Sequence, residues 1–216
     1  MSVQTPIAPQ TISESTVVLE NISWQTFNAL LTDMGENRAC RIAYNQGVLE
    51  IRMPLRKHEE PKRLIEDFVT SIADELEIEI SSLGALTLTR EDLNRAIEPD
   101  TCFYIQNEAL IRGKENIQLP NDPPPDLVLE SDYKNSSLNK FTIYSSLGVP
   151  ELWRYREQTL QIYQLVEQEY QLTDKSLAFP FLPVTEIPGF IEQSKTIGQR
   201  KTVRLFRQRI RAILQE

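Results

Sequence analysis

At 216 residues, 40% of them hydrophobic and 25% charged, the chain has an ordinary globular makeup and the length for one sizeable core, which excludes a disordered or fibrous protein. Its net charge of −8 argues against holding nucleic acid by bulk electrostatics, because phosphate contacts need clustered Lys and Arg. No apolar run approaches a membrane span and the start MSVQTPIAPQTISES lacks the basic and apolar regions of a secretory signal, so a cytoplasmic location without membrane contact is expected.

Residues 1–15, rich in Pro, Gln, Thr and Ser, read as a disordered arm, and residues 16–216 as one domain. Ser23 is placed to cap a helix through Trp24, Phe27, Leu30 and Leu31 that ends near Gly35. RACRIAYNQGVLEIRMP reads as a hairpin turning at Asn45-Gln46-Gly47. From His58 to Glu77, Leu64, Ile65, Phe68, Val69, Ile72, Ala73 and Leu76 recur at three- and four-residue steps, the pattern of an amphipathic helix. EIEISSLGALTLT and AIEPDTCFYI follow as strands, with a turn or short helical link from Arg90 to Arg95 between them. After a loop from Gln106 to Pro125, NDPPPD forces an extended lead into strand DLVLE, and LNKFTIYSSLG reads as a helix closed by Gly148. Strand ELWRYR comes next, then TLQIYQL and QEYQLT as a hairpin extension. The basic segment KTIGQRKTVRLFRQRIRAIL closes the chain as a helix with Val203, Phe206, Ile210 and Leu214 toward the body. This order predicts an α/β fold, a mixed sheet flanked by helices on both faces.

Candidate chemistry concentrates between Glu98 and Lys140. Two Pro-Asp steps, Pro99-Asp100 and Pro125-Asp126, each open an extended run, so two acidic strand ends can sit side by side. Hard cations such as Mg²⁺ want carboxylate oxygens and keep several waters, so a few carboxylates and a nearby lysine suffice for a phosphodiester-cleaving site. Residues two apart on a strand share a face with Cα atoms roughly 6.6 Å apart, while four apart means about 13 Å. Glu130 and Asp132 can therefore converge, Asp100 must come from the neighbouring strand, and Asp126 lies far down the same face, where, after three prolines, it reads first as a turn or edge residue. Asp132 reads equally as a cap of the turn that follows. Glu130 ends the apolar run LVL, where burial is costly unless the acid is paired or metal-bound; a salt bridge to Lys140 alone would also satisfy it. Lys140, early in the next helix, can return to the site as a point charge, with Lys134 as the rival lysine.

The remaining candidates are accessory. His58, the only histidine, stands at a helix start with Glu60 two residues on; helix-start electrostatics is the default role of Glu60, and His58 remains available for proton transfer. Arg204, Arg207, Arg209 and Arg211 form a local basic patch able to touch phosphate, set against an amphipathic helix whose arginines are merely solvated. There is no GxxxxGK[ST] or GxGxxG element, so no nucleotide cofactor is indicated. Cys40 and Cys102, outside any CxxC or Cys/His cluster, suggest neither a disulfide framework nor zinc and are expected as buried small residues.

HEEPKRLIEDFV, EPDTCFYI, PPPDLVLESD, SLNKFTIYSSLGVPELWRY and YQLTDKSLAFPFLP, in this order, resemble the Uma-type family of proposed restriction endonucleases, formerly a domain of unknown function. The resemblance runs from about Arg38 to the closing helix. It implies the PD-(D/E)xK nuclease superfamily, whose core has the element order read above and whose sites bind Mg²⁺ or Mn²⁺ to cut nucleic acid. By position, Asp100 resembles the acid of the Pro-Asp element and Glu130 that of the (D/E)xK element. The lysine position holds Asp132 instead, so the resemblance assigns the lysine to Lys140, supplied from the helix. Glu60 or Glu66 matches the acid that some members supply from the first helix, whereas Ser131 and Lys134 depart from the family's pattern.

The expectation is thus a restriction-endonuclease-like core carrying a Mg²⁺- or Mn²⁺-dependent endonuclease that hydrolyses DNA, with Asp100, Glu130 and Lys140 catalytic and Asp132 a further metal ligand. Cutting both strands needs two sites, so a homodimer is the expected assembly. Two alternatives stay open: a catalytically silent DNA-binding protein of the same fold, and a protein-interaction module, which the net acidity favours.

Overall fold

The computed structural model describes residues 15–35, 38–53, 56–131 and 136–215. The arm expected over residues 1–15 lies outside them except for Ser15, which begins strand β1 (Ser15–Leu19). Helix α1 (Trp24–Met34) starts as expected, with the Ser23 hydroxyl accepting a hydrogen bond from the Thr26 N–H at 3.1 Å. Strands β2 (Arg41–Asn45) and β3 (Val48–Met53) form the hairpin. Its two turn residues, Gln46 and Gly47, have φ of 48° and 98°, the left-handed backbone that a tight two-residue connection requires. The amphipathic helix is α2 (Arg56–Leu76).

Two expected strands are each broken in two. EIEISSLGALTLT divides into β4 (Ser81–Gly84) and β5 (Leu88–Arg90), and AIEPDTCFYI into β6 (Arg95–Ile97) and β7 (Thr101–Tyr104). Each first and second half belongs to a different sheet. The breaks have local causes: Gly84 takes a φ of 57° with a register shift beside it, and Pro99 has no N–H to continue a ladder. Asp100 consequently stands where the chain crosses between sheets.

The loop after β7 holds the short helix α3 (Glu108–Ile111), and β8 (Leu127–Ser131), α4 (Lys140–Leu147) and β9 (Glu151–Arg156) follow as expected. Gly148 closes α4 at a φ of 78°. The hairpin β10 (Thr159–Val166) and β11 (Glu169–Thr173) extends the main sheet, β10 pairing with β9. Helix α5 (Ile187–Ile197), an element beyond those expected, begins at the proline-bearing IPGF, and α6 (Gln199–Leu214) is the basic closing helix.

One sheet runs β1-β3-β2-β6-β5, with all neighbours antiparallel. The other runs β11-β10-β9-β8-β7-β4, in which β8 and β9 are the parallel pair that α4 connects. Leu127, Leu129, Phe103 and Trp153 pack beneath α2, α5 and α6 together with Phe68, Ile191 and Phe206. On the opposite face, Val128, Cys102 and Leu152 meet α4 through Ile143, Tyr144 and Leu147, and Ala43, Leu88 and Ile97 of the first sheet close over them. Both cysteines are buried and free, and burial pushes the Cys102 thiol up to about 12. Val203, Phe206 and Ile210 face the body, but Leu214, at the end of α6, is exposed.

Candidate active site

Strand β8 alternates strictly. Leu127 and Leu129 belong to the α2–α6 core and Val128 to the α4 core, so Glu130 emerges on the α4 face, at the end of a strand covered on both sides. Antiparallel pairing of Thr101 with Leu129 brings Asp100, one residue earlier, next to Glu130 on the adjacent strand. One Asp100 oxygen accepts from the Ser131 N–H at 2.7 Å, which fixes the carboxylate against the strand end.

The first sheet supplies two more charges. On β3, Leu49 and Ile51 pack toward α1, so Glu50 and Arg52 point the other way, over the end of β8. Glu50 and Glu130 are each 2% exposed, Asp100 and Arg52 each 5%. Arg52 Nη2 lies 2.9 Å from an Asp100 oxygen and 3.7 Å from Glu130 Oε2. The buried acids thus already share one positive charge. Nothing in VLEIRM marked these residues: charges on alternate positions of a hairpin read as a solvated face, and only the closure of the first sheet over β8 buries them.

Helix α4 completes the cluster. Lys140, its first residue, donates to Glu130 Oε2 at 2.7 Å, and the Tyr144 hydroxyl donates to Glu130 Oε1. The i, i+4 spacing of Lys140 and Tyr144, legible in KFTIY, puts both on one helix face. Glu50 receives the Ser136 hydroxyl at 2.8 Å, the Ser137 N–H at 2.8 Å and the Ser137 hydroxyl. Burial works to raise its pKa, but the Ser137 and Ser136 hydrogen bonds, with the charge of Lys140, outweigh burial and hold it below the ordinary carboxylate value. Beside these groups lies a cleft of about 220 Å³, lined by Glu130, Ser136, Asn139, Lys140, Phe141 and Arg154 among others.

Asp100, Glu130 and Lys140 are therefore brought together. Asp126 is not part of the group: it accepts from the Ile105 and Asn107 N–H groups at 2.6 and 3.0 Å and from the Asn107 amide, holding the turn after β7. Asp132 and Lys134 lie outside the described residues, as does the side chain of His58. Glu60 is exposed on α2 with no described contact to Asp100 or Glu130. The arginines of α6 are on the other side of the main sheet, packed with the α2 core. Arg207 pairs with Asp74 and Glu75, Arg211 with Glu75, and Arg209 with Glu186, so these three are held in ion pairs rather than merely solvated; Arg204 and Arg211 are exposed.

The donor types suit a hard divalent cation. Two carboxylates converge, and the Arg52 guanidinium stands in for positive charge between them. Among the described residues no third His, Cys, Asp or Glu joins them at metal-binding range.

The model of the Uma2 family, described as "Putative restriction endonuclease", matches residues 24–191. Among solved structures, the fold is similar to one described as a putative nuclease belonging to DUF820 from Anabaena variabilis, with a TM-score of 0.50 and 18% identity over 84% of this chain and 99% of that one. Among curated proteins nothing matches.

Proposed function

Because the chain belongs to the Uma2 family, we propose that it is a divalent-metal-dependent endonuclease that hydrolyses phosphodiester bonds in DNA. The observation that carries this reading is the pair of buried acids, Asp100 and Glu130, on adjacent strands around one shared cation, Arg52 Nη2. In this reading Asp100 and Glu130 would hold Mg²⁺ or Mn²⁺, whose charge would replace that of Arg52. The bound ion supplies a Lewis acid for the phosphoryl oxygen and lowers the pKa of an attacking water.

The chain's own residues do the positioning. The Ser131 N–H fixes Asp100, and the Tyr144 hydroxyl fixes the Glu130 oxygen that Lys140 does not hold. Lys140, a compact charge at the start of α4 and on the wall of the cleft, offsets negative charge that develops on the phosphate as water adds to phosphorus and the bond to the leaving sugar oxygen breaks. The direct test is nicking of supercoiled DNA with Mg²⁺ or Mn²⁺ against chelator, for wild type, Asp100→Asn and Glu130→Gln. Metal-dependent nicking lost in both variants supports the assignment; equal nicking in all three preparations points to a contaminant and removes it.

A second reading is favoured by the same arginine. With Arg52, Lys140, Tyr144 and the Ser131 N–H all directed at Asp100 and Glu130, the cluster can also be a self-neutralised ion network in a catalytically silent DNA-binding protein. Such a protein shows no thermal stabilisation by metal.

A further inference from the structure

We propose that Arg154 anchors a phosphate-binding subsite in the cleft beside Glu130. Parallel register pairs Glu130 with Arg154, and the neighbouring pair Val128 and Leu152 shares the α4 core, so both charged residues emerge on the same face. Adjacent opposite charges ordinarily pair. Here they do not: Glu130 is held by Lys140, Tyr144 and Arg52, and no acid of the chain takes Arg154 as an ion-pair partner among the described residues. Its Nε–H is buried from water and has no acceptor among the described residues, an expensive state for a strong donor.

The surroundings define what would satisfy it. Arg154 and Lys140 both line the 220 Å³ cleft, with Ser136 and Asn139 on the same wall. Glu130 lines the cleft as well, but its two oxygens are taken by Lys140 and Tyr144; with two cations and two neutral polar side chains around an unfilled donor, the site suits an oxyanion, and a planar guanidinium matches a phosphate through two parallel hydrogen bonds. The cleft is smaller than the roughly 300–1,000 Å³ of drug-sized sites, which suits one phosphate with part of its sugar rather than a free cofactor. The inference rests on the proposed nuclease reading for its substrate class: the phosphate is that of a nucleotide next to the bond being cut, and Arg154 sets the register of the strand relative to Asp100 and Glu130.

The test separates the two readings because it needs neither metal nor turnover. The full chain, in chelator, is titrated with inorganic phosphate while arginine Nε–H resonances are followed by NMR, the Arg154 signal being identified by its absence from Arg154→Gln. The expected result is a saturable shift of that signal, with binding weakened at least tenfold in Arg154→Gln and less in Arg154→Lys, which keeps charge but loses the fork. Thermal melts of both variants establish that they fold, and loss of fold in Arg154→Gln leaves Arg154→Lys and the wild-type titration to decide. Phosphate that leaves the Arg154 signal unmoved, or that binds Arg154→Gln as tightly as wild type, overturns the subsite whatever the nicking assay shows. Phosphate binding without metal-dependent nicking keeps the subsite and removes the nuclease reading.

Discussion

Two dense clusters of opposite charge lie on the two faces of the six-stranded sheet, and water separates their roles. At the end of β8, the side chains of Asp100, Glu130, Arg52 and Lys140 are 3–10% exposed. Along the α2–α6 seam, Glu75 is 10% exposed, but its partners Arg207 and Arg211 are 37% and 58% exposed. Exposed pairs add little and are screened by salt, whereas a buried group of charges must be nearly complete, since removing one partner leaves another desolvated and unpaired. The most basic stretch of the chain is therefore a weak electrostatic latch onto an acidic helix. Inconspicuous charges of a hairpin, Glu50 and Arg52, carry the stronger constraint.

Breaking the buried cluster should have the largest effect. Glu130→Gln is expected to lower metal-dependent nicking at least about a hundredfold, a loss of the size that follows removal of one well-placed electrostatic group. The same change takes one buried carboxylate from Arg52 and Lys140, so chelator-treated protein should lose about 3 kcal/mol, at the lower end for a broken buried pair because the amide still hydrogen-bonds and Asp100 still faces Arg52. Denaturant unfolding measures this. An unchanged or raised stability in chelator would mean that repulsion from Asp100, not attraction to the cations, dominates at Glu130.

Arg52→Gln sharpens the comparison between metal seat and ion network. Lys140 still faces Glu130, so the expected loss without metal is smaller, about 2 kcal/mol. With the competing guanidinium gone, Mn²⁺ should stabilise the variant more than wild type; at a hundredfold excess over Kd a ligand adds about 2.7 kcal/mol. Thermal melts with chelator and with excess Mn²⁺ decide it. Equal metal response in both proteins would show that Arg52 does not compete for the position, and no response in either supports the silent reading.

These two residues also mark where the sequence ceases to be informative. Local periodicity and caps made α1, α2, the hairpin, β8, α4, β9 and α6 legible, because each depends on residues within one element. The division of EIEISSLGALTLT and AIEPDTCFYI was not, since partner choice between two sheets depends on distant strands, and the local breaks at Gly84 and Pro99 do not by themselves say which sheet each half joins. Asp100, Glu130 and Lys140 were readable as types in order. Arg52 and Glu50 were not, because each acts through a contact that the tertiary fold creates. For Arg154 the pattern ELWRYR gave strand alternation but no sign that its neighbour Glu130 would be taken by Lys140.

On the exposed seam the expected effect is smaller and tied to pH. Hydrogen bonds from Arg211 and then Arg207 hold Glu75 at about 2, below its ordinary 4.5. A lowered pKa in the folded state means that the contribution is present in full above about 4.5 and is lost as pH falls toward 2. Glu75→Gln should cost roughly 1 kcal/mol at neutral pH and low salt, less at high salt, and should flatten the fall of stability across that acidic window. A variant whose stability falls as steeply as wild type between those limits would place the acid sensitivity on other carboxylates.

The smallest expected effect is on DNA binding by α6. Arg207 and Arg211 already face Asp74 and Glu75, and α6 packs on the sheet face away from Glu130. Each phosphate contact on duplex DNA contributes about 0.9 to the slope of log affinity against log salt. If both arginines touched phosphate, Arg207→Gln with Arg211→Gln would reduce that slope by roughly 1.8. We expect no measurable change, because pairing with DNA would first require breaking ion pairs that the helix uses to dock. Arg154→Gln, at the cleft, should instead lower the slope by about 0.9. Fluorescence anisotropy with a labelled duplex across a salt series, in chelator, makes the comparison, and a slope reduced in the α6 double variant but not in Arg154→Gln would assign the nucleic-acid face to the basic helix.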